Sequence, residues 1–141
     1  MSPTLPFTTT VHARQPEDPA PRLIIFGMRR MGAFGLADAS TAHTYLTAFG
    51  KDFRRPLVLL RTFVAELSTT SNRSIQIAPW CCARLTPSEA TLLDVLALAP
   101  HADGTAHLLL ADMLGVEDAS GPLTTATALS AAFADLGLPL G

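Results

Sequence analysis

The chain has 141 residues, 48% of them hydrophobic and only 16% charged, with a formal net charge of −2. That length suits one domain with a real core, while ordinary soluble domains carry about 25% charged residues. No stretch reaches the ~20 uninterrupted apolar residues of a bilayer span, because Arg61 or Asp112 breaks the best candidates, and residues 1–21 have neither the basic nor the apolar region of a secretory signal.

A cytoplasmic protein with reduced thiols at Cys81 and Cys82 is therefore expected. The shortage of charge means either that the helices are mostly buried or that another subunit covers part of the surface. Charge is also divided along the chain. Residues 1–84 hold all ten Lys and Arg with five acids, whereas residues 85–141 hold seven acids and no Lys or Arg. Two such halves attract each other, within a chain or between chains.

In chain order, residues 1–21 contain five prolines and little periodicity, and read as an extended arm that Leu5, Phe7 and Val11 could dock. Arg22–Phe34 follows as a predicted helix with Gly35 as its C-cap. Leu23, Phe26, Arg30 and Ala33 share one face, and Ile24, Met28 and Met31 another. The competing reading is a buried strand ending in a glycine loop. It lacks both GxGxxG and a suitably placed acid, which argues against a dinucleotide site. Asp38 starts a helix to Phe49 that Gly50 closes, with Ala39, Ala42, Leu46 and Phe49 as its inner stripe and His43 as a packed or surface residue.

The strongest helical pattern runs from Asp52 to Leu67. Asp52 is placed to cap it, and Pro56 falls where a missing N–H breaks no intrahelical bond. Leu57, Leu60, Phe63, Val64 and Leu67 repeat along one face, which Val58 and Leu59 broaden. Arg54 and Arg55 sit in the first turn, where the helix dipole favours anions instead. They lie on a solvated edge or pair with carboxylates such as Asp38 and Glu66. Alternatively, they join Arg29, Arg30 and the first-turn amides in holding an anion or an acidic partner.

Ile75 and Ile77 alternate with Gln76, the signature of a short strand near residues 74–78 that needs a partner, either the arm or a second copy. Cys81 and Cys82 adjoin Trp80 and pack as small apolar residues or supply a reactive thiolate, with Arg84 and the next helix start lowering its pKa. No CxxC or paired-histidine spacing accompanies them, so no metal site and no cofactor are expected. Thr86, Pro87 and Glu89 form a capping box for a helix to Ala99 that is apolar nearly all round, hence buried on every side. Asp103 is placed to cap a helix through Leu114, which Gly115 ends, and to contact His107. The last helix runs from Pro122 to Leu136 with Ala126, Leu129 and Phe133 inward. Its outer face is Thr, Ser and Ala, which suggests a subunit contact.

Two resemblances follow. LTPSEATLLDVLA and HLLLADMLGV, from Leu85, are similar to the helix-turn-helix of response-regulator-type transcription factors. The following segment, where a recognition helix would lie, has no Arg or Lys, so no nucleic-acid binding is expected. The wider pattern resembles an uncharacterised family of small bacterial helical proteins. Arg29-Arg30-Met31-Gly32, the Asp38–His43 helix start, Phe53-Arg54-Arg55-Pro56-Leu57 and Cys81-Cys82 before the Thr86 cap carry that resemblance. It implies an α-helical domain with no known activity, and no catalytic residues.

The sum is an all-α protein: a bundle of five to six helices over residues 22–141, an extended arm, and one short strand. No hydrolase, P-loop, zincin or kinase motif is present. The functional expectation is a non-catalytic interaction or regulatory protein. It would be a homodimer binding an acidic protein or a small anion through Arg29, Arg30, Arg54 and Arg55. The alternatives are a thiol-based redox or metal-responsive protein centred on Cys81 and Cys82, and a degenerate helix-turn-helix protein that does not bind DNA.

Overall fold

Each apolar stripe of the sequence becomes a helix in the computed structural model, which describes residues 14–141. The helices are α1 (Pro19–Phe34), α2 (Ala39–Phe49), α3 (Arg54–Thr70), α4 (Pro87–Leu98), α5 (Asp103–Leu114) and α6 (Ser120–Asp135), with a 3-10 turn at Gly50–Asp52. No helix among the described residues is long and apolar enough to cross a membrane.

The architecture is a helical bundle in two groups. α1, α2 and α3 pack together, α4 and α5 form a second pair, and α6 lies against α3, α4 and α5. α3 is the central helix of the first group. Pro56, Leu57, Leu60, Phe63 and Leu67 are buried along it, one stripe at 3–4 spacing. Val58 turns away to solvent and does not broaden that stripe. From α6, Ala126, Leu129 and Phe133 are fully buried, as their spacing predicts.

Several expected starts and faces differ. Asp52 does not cap α3: it belongs to the 3-10 turn, and the cap position is Phe53, without a side-chain cap bond. The turn lets the chain reverse from α2 into α3 within three residues, so the helix begins later and runs on to Thr70. Asp103 is the first residue of α5 rather than its cap, which is Ala102. His107 consequently bonds elsewhere, accepting from the Ala119 N–H at 3.0 Å. α1 starts at Pro19, three residues before the expected boundary, since a proline fits the first turn of a helix.

α2 presents a different face from the one its small residues suggest. Thr41 and Tyr45 are buried and Leu46 is 45% exposed. The aromatic ring decides the rotation. Tyr45 stacks edge-on to Phe133 at 6.1 Å and tilts against Phe49 at 5.7 Å, and its hydroxyl donates to the Leu23 carbonyl at 2.9 Å. A buried ring with a satisfied hydroxyl outweighs a leucine at the rim. Burial pushes the Tyr45 phenol above its ordinary value. At the other end, Asp38 caps α2 as expected, accepting from the Thr41 N–H.

Residues 71–80 form no strand. The only β-bridge among the described residues joins Arg14 and Arg84, antiparallel. The expected arm contacts of Leu5, Phe7 and Val11 lie outside the described residues.

Gly27 is where α1 meets α3 most closely. A Cβ there would lie 2.4 Å from Leu60 Cδ2, with Thr41 and Tyr45 close behind. Leu60→Ala should cost about 2–5 kcal/mol, the usual range for emptying a packed leucine site. Gly27→Ala alone should also destabilise, despite the better helix propensity of alanine. In urea denaturation the double variant should be more stable than the sum of the two changes predicts. Strict additivity would show that the two residues do not share this space.

Candidate functional site

The groove of interest is made by a loop, and the loop is held by one ion pair. Arg29 and Glu89 are both fully buried, the first on α1 and the second in the first turn of α4. Arg29 Nε donates to Glu89 Oε2 at 2.8 Å and Nη2 to Oε1 at 2.9 Å. This planar fork matches a carboxylate as no lysine could. The remaining donors reach the loop, Nη1 to the Cys82 carbonyl at 2.6 Å and Nη2 to the Arg84 carbonyl at 2.7 Å.

Glu89 is equally occupied. Oε1 accepts from the Thr86 N–H at 2.9 Å, completing the capping box with Thr86 Oγ1 and the Glu89 N–H. Oε2 also accepts from the Ala78 N–H at 3.2 Å. No buried side-chain polar atom among the described residues lacks a partner. The pair therefore ties α1, α4 and residues 78–84 into one unit, and Gln15 adds bonds to the Cys82 and Ala83 carbonyls.

Against this geometry, the four expected site arginines are not one surface patch. Arg29 is interior. Arg30 forks onto Asp38, with both bonds at 3.1 Å, donates to Ser40, and lies 4.3 Å over the Phe34 ring. The Arg30 guanidinium and the Thr41 N–H hold the Asp38 carboxyl below its usual range, although burial opposes them. Arg54 and Arg55 lie past the far end of α2, which at 11 residues is about 16 Å long. Arg55 pairs with Asp135 at 2.8 Å, with both side chains open to solvent, the kind of contact that contributes little. Arg54 is exposed beside Phe53.

Cys81 is exposed and Cys82 half-buried, both as free thiols. Among the described residues no three His, Cys, Asp or Glu are grouped to hold a metal ion. The charge-poor side of α6 is covered in part within the chain, while Thr124, Ala131 and Ala134 are exposed. Ser130 and Ala132 are buried, Thr125 and Thr127 are half-buried, and Thr125 donates to Glu66 of α3.

What sequence reasoning missed is the groove itself. About 800 Å³ opens between α1, α3 and residues 71–80, with Met28, Gly32, Val64, Leu67, Ile77 and Trp80 among its walls. Trp80 stands at its lip, 53% exposed. Among the described residues no Asp or Glu lines it. A signal did exist: a lone Trp beside Ile75 and Ile77 is an apolar cluster next to a turn. Only the fold places α1 and α3 across from it.

Residues 7–138 match a family model over nearly the whole chain. The chain belongs to the family of unknown function DUF6628. This agrees with the resemblance carried by the Arg29–Gly32, Phe53–Leu57 and Cys81-Cys82 motifs, and the match brings no helix-turn-helix with it. No curated protein and no solved structure matches the chain. The helix at the place of a recognition helix is α6, which is packed against α3, α4 and α5.

Arg29→Met should remove the fork and leave Glu89 charged, buried and unpaired. Losing one partner of such a pair costs about 3–5 kcal/mol. A urea midpoint within error of wild type would mean that water reaches Glu89 and that the pair does not hold the loop.

Proposed function

We propose that this chain is a non-catalytic interaction protein whose partner docks in the groove beside Trp80. The observation that carries the reading is an open concavity with apolar and basic walls, an exposed tryptophan at its edge and, among the described residues, no acid in its lining. Trp is among the side chains that dominate the energetics of protein contacts, and exposed apolar concavities mark binding sites. The acidic partner expected from the arginines fits this groove better than it fits their original grouping, since Arg73 reaches it and no acid opposes it.

The thiol alternative has less to stand on. The Cys82 carbonyl is committed to Arg29 and Gln15, and among the described residues no group of three metal-ligating side chains includes the pair. A homodimer remains part of the proposal because of the large apolar side chains left open, notably Phe34 and Leu108, the latter 70% exposed. Light scattering at micromolar concentration should then give twice 14.9 kDa, and a mass of one chain would remove that part.

The groove is tested at Gly32, a helical position on its wall. A Cβ added there meets only Ile77 Cγ2, at 3.9 Å. Gly32→Leu should keep or raise the melting temperature, because glycine inside a helix costs roughly 0.5–1 kcal/mol relative to alanine. The same change should fill the groove. Proteins captured from an extract of the source cells by wild type should be lost or weakened about tenfold or more with the variant. Equal capture by both would place the interaction elsewhere.

A further inference from the structure

Residues 71–80 follow an irregular path, yet their backbone bonds alternate. The Gln76 N–H donates to Ser88 Oγ at 3.3 Å, the Gln76 carbonyl accepts from Thr86 Oγ1, and the Ala78 N–H donates to Glu89 Oε2 at 3.2 Å. In an extended chain the N–H and C=O of one residue point to one edge, and those of the next residue to the other. The start of α4 has thus taken the edge of the even-numbered residues. Among the described residues no hydrogen bond reaches the N–H or C=O of Ile75 or Ile77.

The Ile75 and Ile77 side chains pack on the core, so this second edge is held in place before anything binds. It is short. Pro79 has no N–H, and its carbonyl already accepts from the Cys82 N–H at 3.0 Å. Two donors and two acceptors, at the two-residue repeat of a strand, therefore lie along one wall of the groove. Such an unpaired edge is a template for another extended backbone. The charge of the walls narrows the choice. The basic residues there are Arg29, neutralised by Glu89, and Arg73, which among the described residues forms no ion pair and gives one guanidinium N–H to the Asp112 carbonyl at 3.0 Å.

We propose that the Ile75–Ile77 edge is a strand-addition site for an extended segment of a partner protein. That segment would be apolar at alternate positions and carry a carboxylate where it passes Arg73. Main-chain bonds give such contacts their affinity, and side-chain pockets give them their selectivity. The inference rests on the groove reading above and goes further by naming how the partner is held.

The probe is a random dodecapeptide display library, selected on the full chain and counter-selected on the Gly32→Leu chain. Recovered peptides should alternate apolar residues and contain Asp or Glu. In amide exchange followed by NMR, the free protein should show Gln76 and Ala78 protected and Ile75 and Ile77 exchanging faster. Bound peptide should slow Ile75 and Ile77 alone. N-methylating the peptide at alternate residues should weaken it about tenfold for one parity and leave the other unaffected, as losing a main-chain bond would. Changing its acid to the amide should cost a further ~2–5-fold, the scale of an exposed ion pair.

Groove-dependent peptides that tolerate methylation at both parities would overturn strand addition while the groove reading stands. Failure to recover any peptide that the Gly32→Leu chain excludes would overturn both readings. Ile75 and Ile77 amides protected in the free full chain, and released by Phe7→Ser with Val11→Ser, would show that the edge is taken by the chain's own N-terminal segment. The proposal would then fall.

Discussion

The Arg29–Glu89 pair is the constraint on which the rest of the structure depends. Burying two full charges costs several kcal/mol per ion, and their mutual attraction offsets this only with good geometry and further hydrogen bonds. Here both conditions hold, since the carboxylate also serves the Thr86 and Ala78 N–H groups and the guanidinium also serves two loop carbonyls. The pair does more to fix position than to add stability. It aligns α1 with the first turn of α4 and holds the turn that carries Trp80, Cys81 and Cys82 at one height above the bundle.

The uneven charge of the chain finds its outlet in the same place. The basic first part and the acidic second part meet at Arg29–Glu89 in the interior and at Arg55–Asp135 on the surface, while Arg73 reaches a carbonyl of the last turn of α5. A cation near the end of a helix complements its dipole. Gly115 allows the close approach. Its φ is +71°, and a Cβ there would come within 2.7 Å of Arg73 Nε. α6, whose one charged residue is Asp135, packs against three other helices.

The groove exists because residues 71–80 are neither helix nor paired strand. The Asn72 N–H is taken by the Leu114 carbonyl and the Ser71 side chain by Arg73, so the chain leaves α3 bound to the end of α5. It then crosses to α4 along an irregular path, in which no hydrogen bond among the described residues reaches the backbone of Ile75 or Ile77. The segment on which docking is proposed thus lies next to the buried Arg29–Glu89 clamp. A binding wall held in place before its partner arrives needs little reorganisation, which favours affinity.

Helix number, helix order and most boundaries were set by local physics. Apolar spacing marked α3 and α6, and the Thr86–Glu89 box marked α4 to within a residue. Gly35, Gly50 and Gly115 marked helix ends, because each sits at a positive φ. Tertiary packing decided what local pattern leaves open. Arg29 and Arg30 are adjacent in sequence and alike in chemistry, yet one is buried in an ion pair with Glu89 and the other is a half-buried partner of Asp38. Successive helical residues point about 100° apart, so which of them turns inward depends on where Glu89 arrives, 60 residues later. Glu89 itself read as a cap, which it is. Its second role needed a partner that no short window contains. The groove was invisible for the same reason, as its walls come from three separated segments whose meeting is a property of the packed chain alone.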